Sequence, residues 1–217
     1  MLLVSGTMYS IKFINYRSKS KGSIMKLNLI KRIFSKIPTL HTERLILREM
    51  RRSDARDMYE YSANPKTSAY LLWTVHEDEE YTKEFIDYVI SKYKSGEYTD
   101  WALVYKENGK MIGTAGFTRI DEENRVAEIG YVLNPNYWGK GLATEAASAV
   151  IKFAFETMNM HRVEAKFMFG NDASLAVMRK LGMKFEGYQR DLLFVKGKYR
   201  TIGTSSILKG EYYFDNK

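Results

Sequence analysis

Gly139 and Gly141, on either side of Lys140, are the residues of this 217-residue chain whose placement most directly implies chemistry. Before them, residues 128–133 alternate with Ile129, Tyr131 and Leu133 on one face, as a strand does. Pro135 removes a ladder donor, so the strand stops or splays there. The two glycines permit a tight turn that brings backbone N–H groups close to a bound group. An amphipathic helix follows, with apolar positions at 143, 146, 147, 150, 151, 154, 155 and 158. Strand, glycine turn and helix N-terminus together offer unpaired N–H groups and a positive dipole end to a phosphate. A nucleotide P-loop needs Ser or Thr after Gly-Lys, where Gly141 stands. A dinucleotide fingerprint needs a third glycine, where Leu142-Ala143-Thr144 continues. A helix started by glycines for packing alone is the plainer alternative.

The segment Trp138-Gly139-Lys140-Gly141-Leu142-Ala143 resembles the R/Q-x-x-G-x-G/A motif of the GNAT superfamily of acetyl-CoA-dependent N-acetyltransferases. That motif holds the coenzyme A pyrophosphate; Trp138 stands where Arg or Gln is commoner. Two features look like the RimJ/RimL branch, which acetylates protein N-termini: the Trp-Gly-Lys-Gly form after an Asn-Pro turn, and the opening Thr42-Glu43-Arg44-Leu45-Ile46-Leu47-Arg48. A second stretch, residues 170–183, is similar to the GNAT pattern N-x-x-S with a Lys-Leu-Gly-hydrophobic ending. The resemblance spans about residues 40–210. It implies acetyl-CoA as co-substrate, gripped by Trp138, Gly139, Lys140, Gly141, Leu142 and Ala143, with Asn171 on the pantetheine arm. It also implies an acetyl carbonyl polarised by the backbone N–H groups of Tyr131, Val132 and Leu133. Many relatives carry a tyrosine seven residues after the Asn to protonate the departing thiolate; here Met178 stands there. RimJ/RimL-type members use the Ser three residues after it, which is Ser174, although capping would also explain that serine. A thiol of pKa about 8.5 needs little help to leave.

Acyl transfer requires a neutral amine, so a base must remove a proton. The Glu used by relatives with an assigned base falls on Leu193. Glu128 is the substitute candidate; its plainer role is a strand-face carboxylate paired with a neighbouring Arg or Lys. An α-amino group titrating near 8 is neutral far more often than an alkyl ammonium near 10. This favours a protein N-terminus as acceptor, such as that of a ribosomal protein. The acidic run Glu77-Asp78-Glu79-Glu80 would suit a small amine instead, a polyamine or an aminoglycoside, but first-turn carboxylates also have a sufficient cause in the helix dipole. A reading from another class is a non-catalytic module binding acyl-CoA or RNA.

These residues need a scaffold. The pattern predicts a GNAT-type mixed α/β fold: a mostly antiparallel central sheet of about seven strands, flanked by about four helices and splayed into a cleft at the motif strand. Strands are expected over residues 42–50, 101–106, 111–120, 128–133 and 161–169, with a final hairpin of 188–195 and 200–208. Asn108-Gly109 marks a hairpin turn. One early helix should be capped by Ser53, with Ala55, Met58, Tyr59 and Ser62 inward; a second, over 79–93, should bury Tyr81, Phe85, Tyr88 and Val89. A short helix over 171–181 ends at Gly182.

The net charge of +8 is concentrated in residues 1–38, which hold eight bases and no acid; in the remainder bases and acids balance. The expected organisation is therefore a basic extension (1–38) and an acetyltransferase domain (39–212), with a tail that binds anions weakly rather than a specific nucleic-acid site. Met25 offers an alternative start, which leaves residues 1–24 open as part of the native protein. Residues 27–37 place Leu27, Ile30, Ile33, Phe34 and Ile37 on one helical face, expected to pack on its own domain rather than on a membrane. The chain has no cysteine, which removes disulfides, thiol nucleophiles and thiolate zinc sites and suits the cytoplasm. His41, His76 and His161 lack ligand spacing, so no metal is expected. A homodimer is left open.

Overall fold

The computed structural model describes residues 30–215; segment 1–24, Met25 and Leu27 lie outside them. In chain order it contains a helical stretch at 30–34 (α1), β1 (Leu40–His41), β2 (Leu45–Arg48), α2 (Ala55–Ser62), α3 (Pro65–Ser68) and α4 (Glu79–Lys94). Then come β3 (Asp100–Tyr105), β4 (Met111–Asp121), β5 (Val126–Leu133), α5 (Leu142–Glu156), β6 (Arg162–Met168), α6 (Asp172–Lys180), β7 (Lys184–Val195), β8 (Lys198–Leu208) and α7 (Lys209–Asp215). The strands form one open sheet in the order β1-β2-β3-β4-β5-β6-β8-β7. The strand beyond the seven expected is the two-residue β1, and α3 and α7 are short additions to the expected helices.

Neighbours run antiparallel except β5 and β6, where α5 carries the chain back to the same end of the sheet. That parallel ladder holds only from Val126 opposite Arg162 to Ile129 opposite Ala165. Beyond it β5 continues to Leu133 and β6 to Met168 without pairing, which is the expected splay. On the other side β5 stays paired with β4 as far as Leu133 opposite Gly113.

Alternation divides the core between the two faces. Trp101 of β3 is fully buried on the α5 face, edge-on to Phe34, Phe117 and Phe153 at centroid distances of 5.8, 6.0 and 5.4 Å. Its indole N–H donates to Pro38 O at 2.6 Å. Phe34 and Ile37 thus bury the helical face read from the N-terminal sequence. α5 buries the expected positions, Ala146, Ala147, Val150, Ile151, Ala154, Phe155 and Met158 among them. α2 packs on β4, and α4 packs on α2.

Two helix faces differ from expectation. Ser53 is not the cap of α2; a 3-10 turn, Arg52–Asp54, precedes the helix, and Asp54 is held by Arg51 N (2.8 Å) and by a two-pronged Arg48 pair (2.7 and 2.8 Å). Tyr61 rather than Tyr59 points inward on α2. On α4 the buried stripe is Thr82, Ile86, Val89 and Tyr93, leaving Tyr81 exposed and Phe85 and Tyr88 half-buried. The cause lies at the helix start, where Thr82 Oγ1 meets the buried His76 Nδ1 at 2.9 Å and fixes the rotation of α4.

Candidate active site

The glycine turn has the expected backbone. Gly139 and Gly141 adopt φ of 75° and 77°, a region L side chains rarely enter, and space around Gly139 is open. Gly141 is the N-cap of α5 and offers no side-chain acceptor. The N–H groups of Gly139, Lys140, Gly141, Leu142 and Ala143 find no partner among the described residues, and the first helical bond is Glu145 N to Gly141 O. Trp138 differs: its backbone N–H donates to Pro135 O at 3.1 Å, and its indole N–H closes on Leu133 O at 2.7 Å. The Lys140 ammonium lies 5.1 Å from the Tyr137 ring centroid.

A carboxylate in the first turn of α5 would repel an anion if left bare. Glu145 is neutralised by Arg44, whose Nε donates to Oε2 at 2.7 Å, and Oε1 accepts from Arg44 N (2.7 Å) and Thr42 Oγ1 (2.6 Å). Desolvation works to raise this carboxyl, but the Thr42 and Arg44 donors outweigh it and hold it low. Arg44 Nη1 also grips Lys140 O at 2.8 Å, so one side chain from the β1–β2 turn ties both ends of the glycine loop. The preceding turn is pinned as well, since Asn134 donates through its side chain to Glu60 of α2 at 2.9 Å.

In the gap itself, Asn134 N–H donates to Ile112 O of β4. Alternation therefore turns the Val132 N–H toward β4 as well, and the N–H groups of Tyr131 and Leu133 toward the gap. Asn171 caps α6 by accepting from Ser174 N at 3.2 Å, which leaves its amide NH₂ without a partner among the described residues. Ser174 Oγ lies 3.0 Å from Tyr131 Oη, which also donates to Ser174 O at 3.1 Å. Burial pushes the Tyr131 phenol up to about 12 against the Ser174 bond, so it stays protonated at neutral pH. Met178, at the position where many relatives carry tyrosine, is buried. Glu128 has both oxygens engaged, one by Lys166 at 2.5 Å and the other by Thr118 Oγ1 at 2.6 Å. Leu193 is exposed on β7.

The residues 44–184 match the sequence profile described as acetyltransferase (GNAT) domain. The chain belongs to this family. It is 37% identical over 174 residues to the uncharacterized N-acetyltransferase p20 of Bacillus licheniformis, covering 80% of this chain and 98% of that one. The ribosomal protein uS5-alanine N-acetyltransferase of Escherichia coli is 27% identical, with 74% of this chain and 86% of the relative covered. The spermidine N(1)-acetyltransferase of Escherichia coli is 25% identical, with 83% and 94% covered.

Sequence reasoning missed two groups of this GNAT acetyltransferase. The Tyr131 side chain was visible only as one apolar-face residue of a strand, with nothing to say that α6 would lie over it. The Thr42–Arg44–Glu145 clamp joins residues about a hundred positions apart, and no local spacing announces it.

Proposed function

We propose that this chain transfers the acetyl group of acetyl-CoA to the α-amino group of a protein N-terminus, such as that of a ribosomal protein, in the cytoplasm. The observation that carries the donor half is the row of five amides, Gly139 to Ala143, unpartnered among the described residues, over a helix start whose first-turn carboxylate, Glu145, is neutralised by Arg44. These amides hold the diphosphate, the exposed Trp138 ring borders it, and the Asn171 amide meets the pantetheine arm. The gap-facing N–H groups of Tyr131 and Leu133 polarise the acetyl carbonyl. Ser174, backed by Tyr131, passes a proton to the departing sulfur. The acceptor half is supported by the relative named for a ribosomal-protein alanine and by the easier deprotonation of an α-amine. The relative named for spermidine favours a polyamine acceptor. Against it, three acids of the run are engaged locally: Asp78 caps α4, and Glu79 and Glu80 share Lys83 at 3.5 and 3.3 Å.

Calorimetry with coenzyme A tests the donor site, and thiol release from acetyl-CoA ranks peptides beginning with Ala or Ser against spermidine and an aminoglycoside. Heat at micromolar ligand and fastest release with the peptides are expected. No heat at millimolar coenzyme A sinks the proposal, and faster turnover of spermidine transfers it to the polyamine class. Tyr131→Phe should lower kcat about tenfold and Ser174→Ala about 100-fold, with the KM for acetyl-CoA little changed, the range of general acid–base groups. Equal KM rises without a kcat loss would show a binding role instead.

A further inference from the structure

The sheet face opposite α5 and α6 presents a carboxylate with no ion pair among the described residues. Asp100 opens β3, and since Trp101 beside it points at Phe153 of α5, alternation turns Asp100 the other way. It stands in register with Gly116 of β4, which is itself opposite Gly130 of β5. Asp100 Oδ1 overhangs Gly116 so closely that a Cβ placed there would lie 2.3 Å from it. At Gly130 an added Cβ would meet only the Thr118 methyl, at 2.8 Å. Two glycines thus lie side by side on β4 and β5, Gly116 overhung by the Asp100 carboxylate and Thr99 O and Gly130 by the Thr118 methyl, and Gly130 is the first residue of β5 past the last β6 rung. Tyr131 and Ser174 close the gap on the α6 face, so an acceptor approaches it from the Asp100 face.

We propose that Asp100 is the proton acceptor for the incoming amine, which enters beside Gly130 next to the carboxylate overhanging Gly116; the inference rests on the acetyl-transfer reading above. The groups facing the carboxylate leave this role free. Tyr98, preceding β3, hydrogen-bonds it. Tyr93 of α4 spends its hydroxyl on Asp100's own carbonyl at 2.7 Å. Tyr61 of α2 is fully buried with its Oη unpartnered. Asp54 nearby is already bound by Arg48. Burial pushes the Asp100 carboxyl up to about 7 against the Tyr98 bond, close to a working pH and thus suited to proton transfer. Glu128 has both oxygens occupied, one by Lys166 and the other by Thr118, so neither is free to meet an amine. The step balances. The ammonium gives one proton to Asp100, which returns it to solvent, and the neutral amine forms a C–N bond to the acetyl carbon. As the C–S bond breaks, the remaining surplus proton on nitrogen reaches the thiolate sulfur by way of the Ser174 hydroxyl. An amide, a free thiol and one released proton result.

The test compares kcat/KM from pH 5.5 to 9 for wild type, Asp100→Asn and Glu128→Gln with an Ala-initiated peptide. Wild-type activity should fall as pH drops through about 7. Asp100→Asn should lose about 100-fold at neutral pH and show no such limb, while Glu128→Gln keeps it. Coenzyme A heats should be unchanged in Asp100→Asn. A second reading guards against a folding defect. A carboxyl raised to about 7 in the fold, above its unfolded value near 4, costs stability increasingly as pH climbs from about 4 to about 7, and the cost is complete by pH 8. Asp100→Asn should therefore melt no lower than wild type at pH 8; a lower melting temperature marks Asp100 as structural and overturns the proposal. So does an Asp100→Asn enzyme within about threefold of wild type with its limb intact, or a limb lost in Glu128→Gln instead. Wild type that binds coenzyme A yet acetylates no amine overturns the acetyl-transfer reading together with this one.

Discussion

Replacing Trp101 by alanine is expected to cost about 3–5 kcal/mol, a large share of the stability of an ordinary domain. The residue is fully buried and is the common neighbour of Phe34, Phe117 and Phe153, so three elements collapse onto it: α1, β4 and α5. Alanine leaves a cavity that rings packed edge-on refill poorly. It also orphans Pro38 O, the acceptor of the indole N–H. Trp101→Phe separates these effects: it keeps most of the volume and should lose about 1 kcal/mol for the hydrogen bond plus a smaller packing term. Urea denaturation monitored by circular dichroism measures both. Midpoints that coincide for Trp101→Ala and wild type would show that this cluster is not the centre of the core.

Removing the Glu145 side chain should weaken coenzyme A binding at least tenfold and destabilise the fold by about 2–3 kcal/mol. The carboxylate accepts from Thr42 Oγ1, Arg44 N and Arg44 Nε, and alanine leaves all three unanswered. The figure sits below the ~3–5 kcal/mol of a fully buried pair because the Arg44 side chain keeps 40% exposure. Binding suffers because Arg44 then loses its anchor while still bonded to Lys140 O, and the loop that must present aligned amides drifts. Calorimetry at saturating protein reads the first effect and urea midpoints the second. The pH course has a definite sign: the folded pKa is below the unfolded one, so this stability is complete above the ordinary carboxylate range and fades as acid takes the pH through the lowered value. Wild type and variant should converge in acid. Unchanged affinity in the alanine variant would detach the clamp from the donor site.

What could be read in the residues was local. Strand alternation at Ile129, Tyr131 and Leu133, the stop at Pro135, the left-handed glycines and the buried face of α5 all depend on neighbours within a few positions. Their outcome matches the pattern that implied them. The face of α4 was misread because aromatic Tyr81, Phe85 and Tyr88 and the stripe Thr82, Ile86, Val89 and Tyr93 have equally good helical spacing. A buried histidine from the preceding loop decided between them. Asp100 stayed hidden for another reason: its place over Gly116 depends on registers across three strands, including a slip at Leu103/Val104. Ordinary turn and propensity signals carry nothing about that slip.

Among the described residues, the sheet's two wings, β1 to β5 on one side and β6, β8 and β7 on the other, share a ladder of only four rungs between Val126–Ile129 and Arg162–Ala165, extended at its start by His161 N–H donating to Arg125 O at 2.8 Å. The notch beyond them is clipped on one face by Tyr131–Ser174 and on the other by Lys166–Glu128. On the proposed reading, a donor arm lodged there would touch both wings at once and act as a splint between them. Filling the notch would therefore add contacts between the wings where the ladder supplies none, between the Tyr131–Ser174 and Lys166–Glu128 clips.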